Sequence, residues 1–184
     1  AYDFYLEHPD ETLIVATGDH ETGGLTIGFA GTKYDTSFQV LASQNMSYDE
    51  FDDLLAEYKK GRTVETVALE DLAPKIKAHF GLDIADLKEH EVAALRKALT
   101  KSVLGKKELS AHPTDYLLYG NYEPVTVTLT HLLNKRAGLA WTTYSHTGIP
   151  VSVSAIGVGA EAFNGYYDNT DIPKKMMQIM GLTE

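Results

Sequence analysis

The first clear pattern in the chain is a short run of apolar and β-branched residues over Thr12–Thr17. A run that is apolar on both faces is typical of a buried strand in a parallel sheet. It leads into a polar and glycine-rich stretch, Gly18–Gly24. In α/β proteins, residues just past the carboxyl end of a buried strand are where functional sites are placed. A second strand is predicted over Leu25–Phe29.

A pattern with helical period covers residues 45–138. Apolar residues recur at intervals of three and four, which places them on one face of a helix. A further helix is predicted over Val125–Ala137, ending before Gly138. We interpret residues 45–138 as a mainly helical insertion within a single domain that covers residues 1–184. The two clearest stripes are Phe51, Leu54, Leu55 and Tyr58, and Val92, Leu95, Leu99 and Val103.

Both helices and strands are predicted near the two ends of the chain. A first helix is predicted over Ala1–Glu7, and Pro9 ends it because proline disfavours helical geometry in the residue before it. Alternation over Pro150–Ile156 predicts another strand. A polar cap candidate with an early proline starts a last helix over Asp171–Met180. These elements predict an α/β fold with a mostly parallel sheet.

Charge and composition narrow the range of functions. The net charge of -10 argues against sequence-independent nucleic-acid binding, which depends on Lys and Arg neutralising phosphates. The absence of cysteine excludes disulfides and thiolate zinc sites, so any metal must be held by His, Asp and Glu. No stretch reaches the roughly 20 apolar residues of a transmembrane helix, so we predict no membrane span.

Asp19 and His20, directly after the first strand, are the strongest candidates for chemistry. A carboxylate oxygen beside an imidazole nitrogen suits zinc. The same dipeptide also occurs as a turn aspartate next to a solvated histidine. Its place after a buried strand, with Gly23 and Gly24 close by, makes a metal site as well supported as a turn.

His146, in the segment Ser145–Gly148, is the second candidate because it precedes a predicted strand. A single loop histidine is commonly only a loop residue, and spacing alone does not show that His146 meets His20. For the other five histidines we predict surface or packing roles: His8, His79, His90, His112 and His131. The cluster Asp168–Asp171 predicts a turn and helix cap, since it lacks the features of an EF-hand loop.

Three blocks of the chain resemble bacterial alkaline phosphatases. Leu13–Gly24 resembles the strand-and-ligand segment of that family, His146–Val151 resembles its His-Thr-Gly segment, and Gly157–Ile172 resembles its C-terminal stretch. The blocks keep the family's order. The resemblance implies part of a three-layer α/β/α sandwich, with residues 45–138 corresponding to the variable crown-like region.

The resemblance also implies roles for the candidate residues. Asp19 and His20 would be ligands of the zinc that binds the nucleophilic serine, and His146 would be a ligand of the neighbouring zinc. The complete enzyme would hold two zinc ions and magnesium and would hydrolyse phosphate monoesters in the periplasm or outside the cell. In this chain alone, the metal occupancy is expected to be low. Thr22 departs from some relatives, which carry a second histidine at that position.

Part of the family's site has no counterpart in this sequence. The nucleophile of the family lies in an Asp-Ser-Ala segment, and the chain contains no Asp-Ser dipeptide. We therefore expect a C-terminal part of a longer enzyme that is catalytically inactive alone. Exposed strand edges in such a piece invite pairing between chains, so we expect a homodimer or other self-association.

Two other interpretations remain open at this point. The first is another metalloenzyme of the same superfamily, such as a phosphodiesterase or a cofactor-independent phosphoglycerate mutase, since these also use Asp-His after a strand. The second is a non-catalytic binding or assembly module that has kept the fold. The Glu21–Gly24 continuation and the C-terminal block favour an alkaline phosphatase over the first.

Overall fold

The computed structural model describes residues 1–105 and 113–182. The chain divides into a terminal unit, made of residues 1–24 together with those from 145 onward, and a central unit, residues 25–144. The helices are α1 Tyr2–Glu7, α2 Tyr48–Lys59, α3 Leu69–Phe80, α4 Glu89–Leu104, α5 Pro113–Tyr119, α6 Pro124–Ala137 and α7 Asp171–Ile179. The strands are β1 Leu13–Thr17, β2 Thr26–Ile27, β3 Leu139–Ala140 and β4 Val153–Gly157, and short 3₁₀ turns lie at Phe38–Ser43, Ile84–Asp86 and Ala160–Phe163.

The terminal unit is built on an antiparallel pair of strands, β1 and β4. Their register places Leu13 opposite Gly157 and Thr17 opposite Val153. Gly157 has a φ of 106°, and a Cβ there would lie 2.0 Å from the Thr12 carbonyl oxygen. Only glycine fits this close approach of two backbones. The pair holds the loops that follow β1 and precede β4 at one end of the ladder.

The α/β class predicted from the sequence is confirmed, but the mostly parallel sheet is not. In the part of the chain that the structure describes, β1 pairs with β4 and β2 with β3, and both pairs are antiparallel. The predicted burial of this strand is also wrong: β1 is half-buried at Leu13–Val15 and exposed at Ala16 and Thr17. An apolar run predicts a strand, but it fixes neither how deeply the strand is buried nor the direction of its neighbour.

The central unit has a helical core around α6. This helix packs against α2, α3, α4 and α5. It buries side chains on most of its turns, including Val125, Leu129 and Leu133. The rings of Phe51 and Phe80 meet edge to face, with centroids 4.9 Å apart. This arrangement is a favoured one for aromatic pairs and adds to their burial.

The helical stripes predicted from the sequence match the observed helices. Phe51 and Leu55 of α2 are fully buried, and Leu95 and Leu99 of α4 also lie in the core. Among the described helices, none is long and apolar enough to cross a bilayer. The insertion boundaries at residues 45 and 138 remain a prediction.

Two of the ion pairs in the described part of the central unit are largely shielded from water. The Lys101 Nζ is 2.5 Å from the Asp115 carboxylate, whose side chain is only 4% exposed. The Lys59 Nζ is 2.9 Å from the Glu123 carboxylate and also donates to the Ser102 hydroxyl. Buried charges are normally paired in this way, because an unpaired charge is costly away from water.

Candidate metal centre

The loop after β1 brings the Asp19 carboxylate next to the His20 imidazole. The Asp19 Oδ2 lies 3.5 Å from the His20 Nε2, and the Asp19 side chain is 87% exposed. The backbone N–H of His20 donates to Asp19 Oδ1 at 3.0 Å, which holds the carboxylate against the loop. Two donor atoms of different type therefore face solvent side by side.

The orientation of the His20 ring is set by its own loop. The His20 Nδ1 lies 2.5 Å from the backbone carbonyl oxygen of Glu21. A carbonyl oxygen only accepts hydrogen bonds, so Nδ1 carries the hydrogen. The lone pair of the neutral ring is therefore on Nε2, which is the atom that faces Asp19. Fixing the tautomer through the other ring nitrogen is how proteins prepare histidine as a metal ligand.

His146 reaches the same place from the loop before β4. Its ring stacks on that of His20, with centroids 3.3 Å apart and planes inclined by 19°. The sequence alone did not show that these two histidines meet. Because the β1–β4 ladder joins the two loops, residues from opposite ends of the chain become neighbours.

Glu21 connects the two loops, and sequence reasoning assigned it no role. Its carboxylate accepts hydrogen bonds from the backbone N–H of Gly24, at 2.5 Å, and from that of Thr147. Partial burial tends to raise the pKa of the Glu21 carboxyl. The bonds from Gly24 and Thr147 and the charge of His146 outweigh it, so the pKa lies below its usual value. The sequence signal for this residue was the short Glu-Thr-Gly-Gly run, which contributed only to the family resemblance.

The donors found here fit zinc in type and in spacing. Two ligands of a tetrahedral zinc with bonds of about 2.0–2.1 Å lie about 3.4 Å apart. The observed separation of 3.5 Å between Asp19 Oδ2 and His20 Nε2 is close to this. The number of donors falls short, however. Within residues 1–105 and 113–182, no group of three or more His, Asp or Glu side chains is arranged to hold a metal ion.

The remaining candidates lie in other surroundings. The His79 ring pairs with the Asn45 side chain at 2.9 Å, and His8 packs on Phe4 with ring centroids 4.6 Å apart. Asp168 accepts a hydrogen bond from the Thr170 backbone N–H at 2.9 Å, as expected of a turn before a helix. His112 lies outside the described residues.

Comparison with known proteins gives one consistent family. A sequence model described as "Alkaline phosphatase" matches residues 1–182. The chain is 31% identical over 176 residues to alkaline phosphatase 3 and 26% identical over 176 residues to alkaline phosphatase 4, both of Bacillus subtilis. Each of these alignments covers 96% of this chain.

A solved structure agrees with the sequence comparisons. The crystal structure of a cold-active alkaline phosphatase from a psychrophilic Shewanella species matches 100% of this chain, with a TM-score of 0.65 and 27% identity. An α/β chain with an Asp-His pair after its first strand thus shares the fold of part of this solved structure. The chain belongs to the alkaline phosphatase family. It spans 32% and 31% of the lengths of the two Bacillus relatives and 37% of the Shewanella chain.

Proposed function

We propose that this chain is part of a longer phosphomonoesterase and supplies half of its two-zinc site. Asp19 and His20 hold one zinc, and His146 is a ligand of the neighbouring zinc. The observation that carries the proposal is the meeting of Asp19, His20 and His146 at one end of the β1–β4 ladder, with the two imidazole rings stacked. Membership of the alkaline phosphatase family supports it.

The roles of the chain's own residues follow from the geometry. Asp19 and His20 present a carboxylate oxygen and a neutral imidazole nitrogen at the spacing of two zinc ligands. Glu21 holds the loops of His20 and His146 together through the backbone of Gly24 and Thr147. A zinc pair, when bound, supplies stabilisation of the entering and leaving oxygens in phosphoryl transfer.

We also propose the fold, the remaining cofactor and the location of the complete enzyme. We place the chain in a three-layer α/β/α sandwich with a mostly parallel sheet, to which β1 and β4 contribute. Residues 45–138 form the crown-like insertion. Magnesium, which prefers oxygen ligands, completes the cofactor set. The enzyme acts on phosphate monoesters in the periplasm or outside the cell.

The chain alone is proposed to be inactive. It has no Asp-Ser dipeptide to provide the family's nucleophile. A catalytic zinc normally has three protein ligands, whereas the described residues contain no group of that size. The missing nucleophile and ligands therefore come from other parts of the longer polypeptide.

Hydrolysis assays with zinc and magnesium test this function. The longer polypeptide and the 184-residue chain are each given a chromogenic phosphate monoester, the corresponding diester and a phosphoglycerate. We expect the longer polypeptide to prefer the monoester and the chain alone to show no turnover. Preference for the diester would contradict the proposed substrate class. Metal-dependent turnover by the chain alone would contradict the half-site.

We further propose that the isolated chain self-associates. Tyr2, Phe4 and Leu6 on α1 are 57%, 60% and 59% exposed, and such apolar surface favours association. We expect light scattering to give a mass above that of one chain, rising with concentration. A constant monomer mass across the concentration range would contradict this proposal.

A further inference from the structure

The central unit contains a cavity of about 380 Å³ between α5, α6 and the segment after β3. Cavities of about 300–1,000 Å³ are the usual size of small-molecule sites. All of its described lining residues belong to the central unit, whereas Asp19, His20 and His146 belong to the terminal unit. Its walls include Tyr116, Trp141 and Tyr144.

Tyr144 is held in place by contacts on several sides. Its hydroxyl donates to the Leu118 carbonyl oxygen at 2.5 Å, and its ring stacks on His131 with centroids 5.9 Å apart. The ring of Tyr116 meets it at 67° and 6.2 Å. Burial, followed by neighbouring tyrosines, raises the pKa of Tyr144 to about 12, so its hydroxyl stays protonated as a donor.

Gly120 allows this position of Tyr144. It has a φ of 58°, and a Cβ there would lie 2.6 Å from the Tyr144 ring. Any other residue would therefore displace the ring or strain the backbone. The aromatic wall of the cavity is fixed by the fold before any ligand arrives, and preformed walls reduce the cost of binding.

The charged side chain of the described cavity lining is positive, and it is exposed to solvent. Among its described lining residues, Lys135 carries a full positive charge, and none is acidic. The Lys135 Nζ lies 5.7 Å from the centre of the Phe29 ring, at the cavity wall. Burial and the nearby Lys135 lower the pKa of His131, so this ring is neutral at pH 7. In a chain of net charge -10, a cavity with a cation and no carboxylate selects anions.

We propose that this cavity binds a small aromatic carboxylate, with its ring against Tyr144 and Trp141 and its carboxylate at Lys135. The aromatic walls match the ring, and the ammonium matches the single negative charge. The site does not depend on phosphate-ester hydrolysis, because none of its residues belongs to the terminal unit. Failure of one proposal leaves the other unaffected.

Trp141 makes the test direct, because it is the only tryptophan in the chain. Phenylacetate is titrated into the 184-residue chain while tryptophan fluorescence is recorded, and calorimetry measures the same binding independently. Phenylacetamide, which has the same shape without the charge, serves as the matched ligand. We expect saturable binding of phenylacetate and about tenfold weaker binding of the amide, since a bond to a charged group is lost.

Two variants distinguish a specific contribution of Lys135 to binding from an effect of the overall charge of the chain. We expect Lys135→Met to weaken phenylacetate binding about tenfold. Lys97→Met, which removes an exposed cation from α4, leaves the affinity unchanged. Absence of saturable binding at millimolar phenylacetate would overturn the proposal. Equal affinity for phenylacetate and phenylacetamide would also overturn it. This second comparison uses the unmodified chain, so it does not depend on how a variant folds.

Discussion

Replacing His20 by alanine is expected to weaken zinc binding to the longer polypeptide by more than about a hundredfold. Loss of a partner that only supports a ligand already costs about ten- to a hundredfold in metal affinity, and loss of the ligand itself costs more. His20 is the residue whose Nε2 stands 3.5 Å from the Asp19 carboxylate with its tautomer fixed by Glu21. Without it, Asp19 is left as a single exposed carboxylate. Calorimetric titration with zinc measures the change.

His90→Ala is the matched control for this experiment. His90 is an exposed histidine in the first turn of α4, so its loss removes an imidazole without touching the site. We expect the longer polypeptide with this substitution to bind zinc as tightly as the unmodified longer polypeptide. If His20→Ala and His90→Ala bind zinc equally well, the ion is held elsewhere, and the proposed ligand set is wrong.

His20→Ala is also expected to lower the catalytic efficiency of the longer polypeptide. Metal ions contribute several kcal/mol of transition-state stabilisation in such sites, so we expect kcat/KM for a phosphate monoester to fall about a thousandfold or more. His146→Ala is expected to act similarly through the neighbouring zinc. Steady-state kinetics with saturating zinc and magnesium measure both. Unchanged kcat/KM would remove both residues from the metal site.

Asp115→Ala is expected to destabilise the central unit by about 3 kcal/mol. Its carboxylate is paired with Lys101 at 2.5 Å, and the two side chains are only 4% and 20% exposed. Removing one partner of a buried pair costs about 3–5 kcal/mol, because the other charge stays buried without compensation. Lys101 retains some access to water, which places the cost at the lower end. Urea unfolding followed by circular dichroism measures the free energy of unfolding.

Two further variants identify the cause. The double variant Lys101→Met/Asp115→Leu removes both charges and is expected to recover most of the lost stability, since apolar replacements of a buried pair are often neutral. Glu70→Ala breaks the surface ion pair between Glu70 and Arg96. Both side chains of this pair are more than half exposed, so the free energy of unfolding is expected to change little. A double variant no more stable than Asp115→Ala would show that packing, not charge, is responsible.

The helices were predictable because their signal is local. The stripe containing Phe51 and Leu55 repeats with the period of a helix, and these residues are buried in α2. The end of α6 was equally visible, since Gly138 adopts the left-handed conformation that closes helices. Each of these features depends on residues within a few positions of each other.

The candidate site was predictable only in part. Asp19 and His20 are adjacent in the chain, so their type and their position after a strand could be read directly. The role of Glu21 was missed because its carboxylate bonds the backbone of Thr147, at the other end of the chain. The binding cavity was missed for a similar reason, since Tyr116, His131 and Tyr144 meet only once α5 and α6 have packed.

The sequence by itself determined the apolar stripes of α2 and α4, the helix α6, the apolar strand β1, the adjacent pair Asp19–His20 and the family to which these motifs point. Only the tertiary structure decided that β1 pairs with β4 in an antiparallel ladder, that His146 stacks on His20 and that Glu21 joins their loops. The physical reason is the separation along the chain between the residues that interact. Periodicity and capping record interactions between near neighbours, whereas strand pairing and the convergence of ligands depend on contacts between distant segments, which local patterns do not specify.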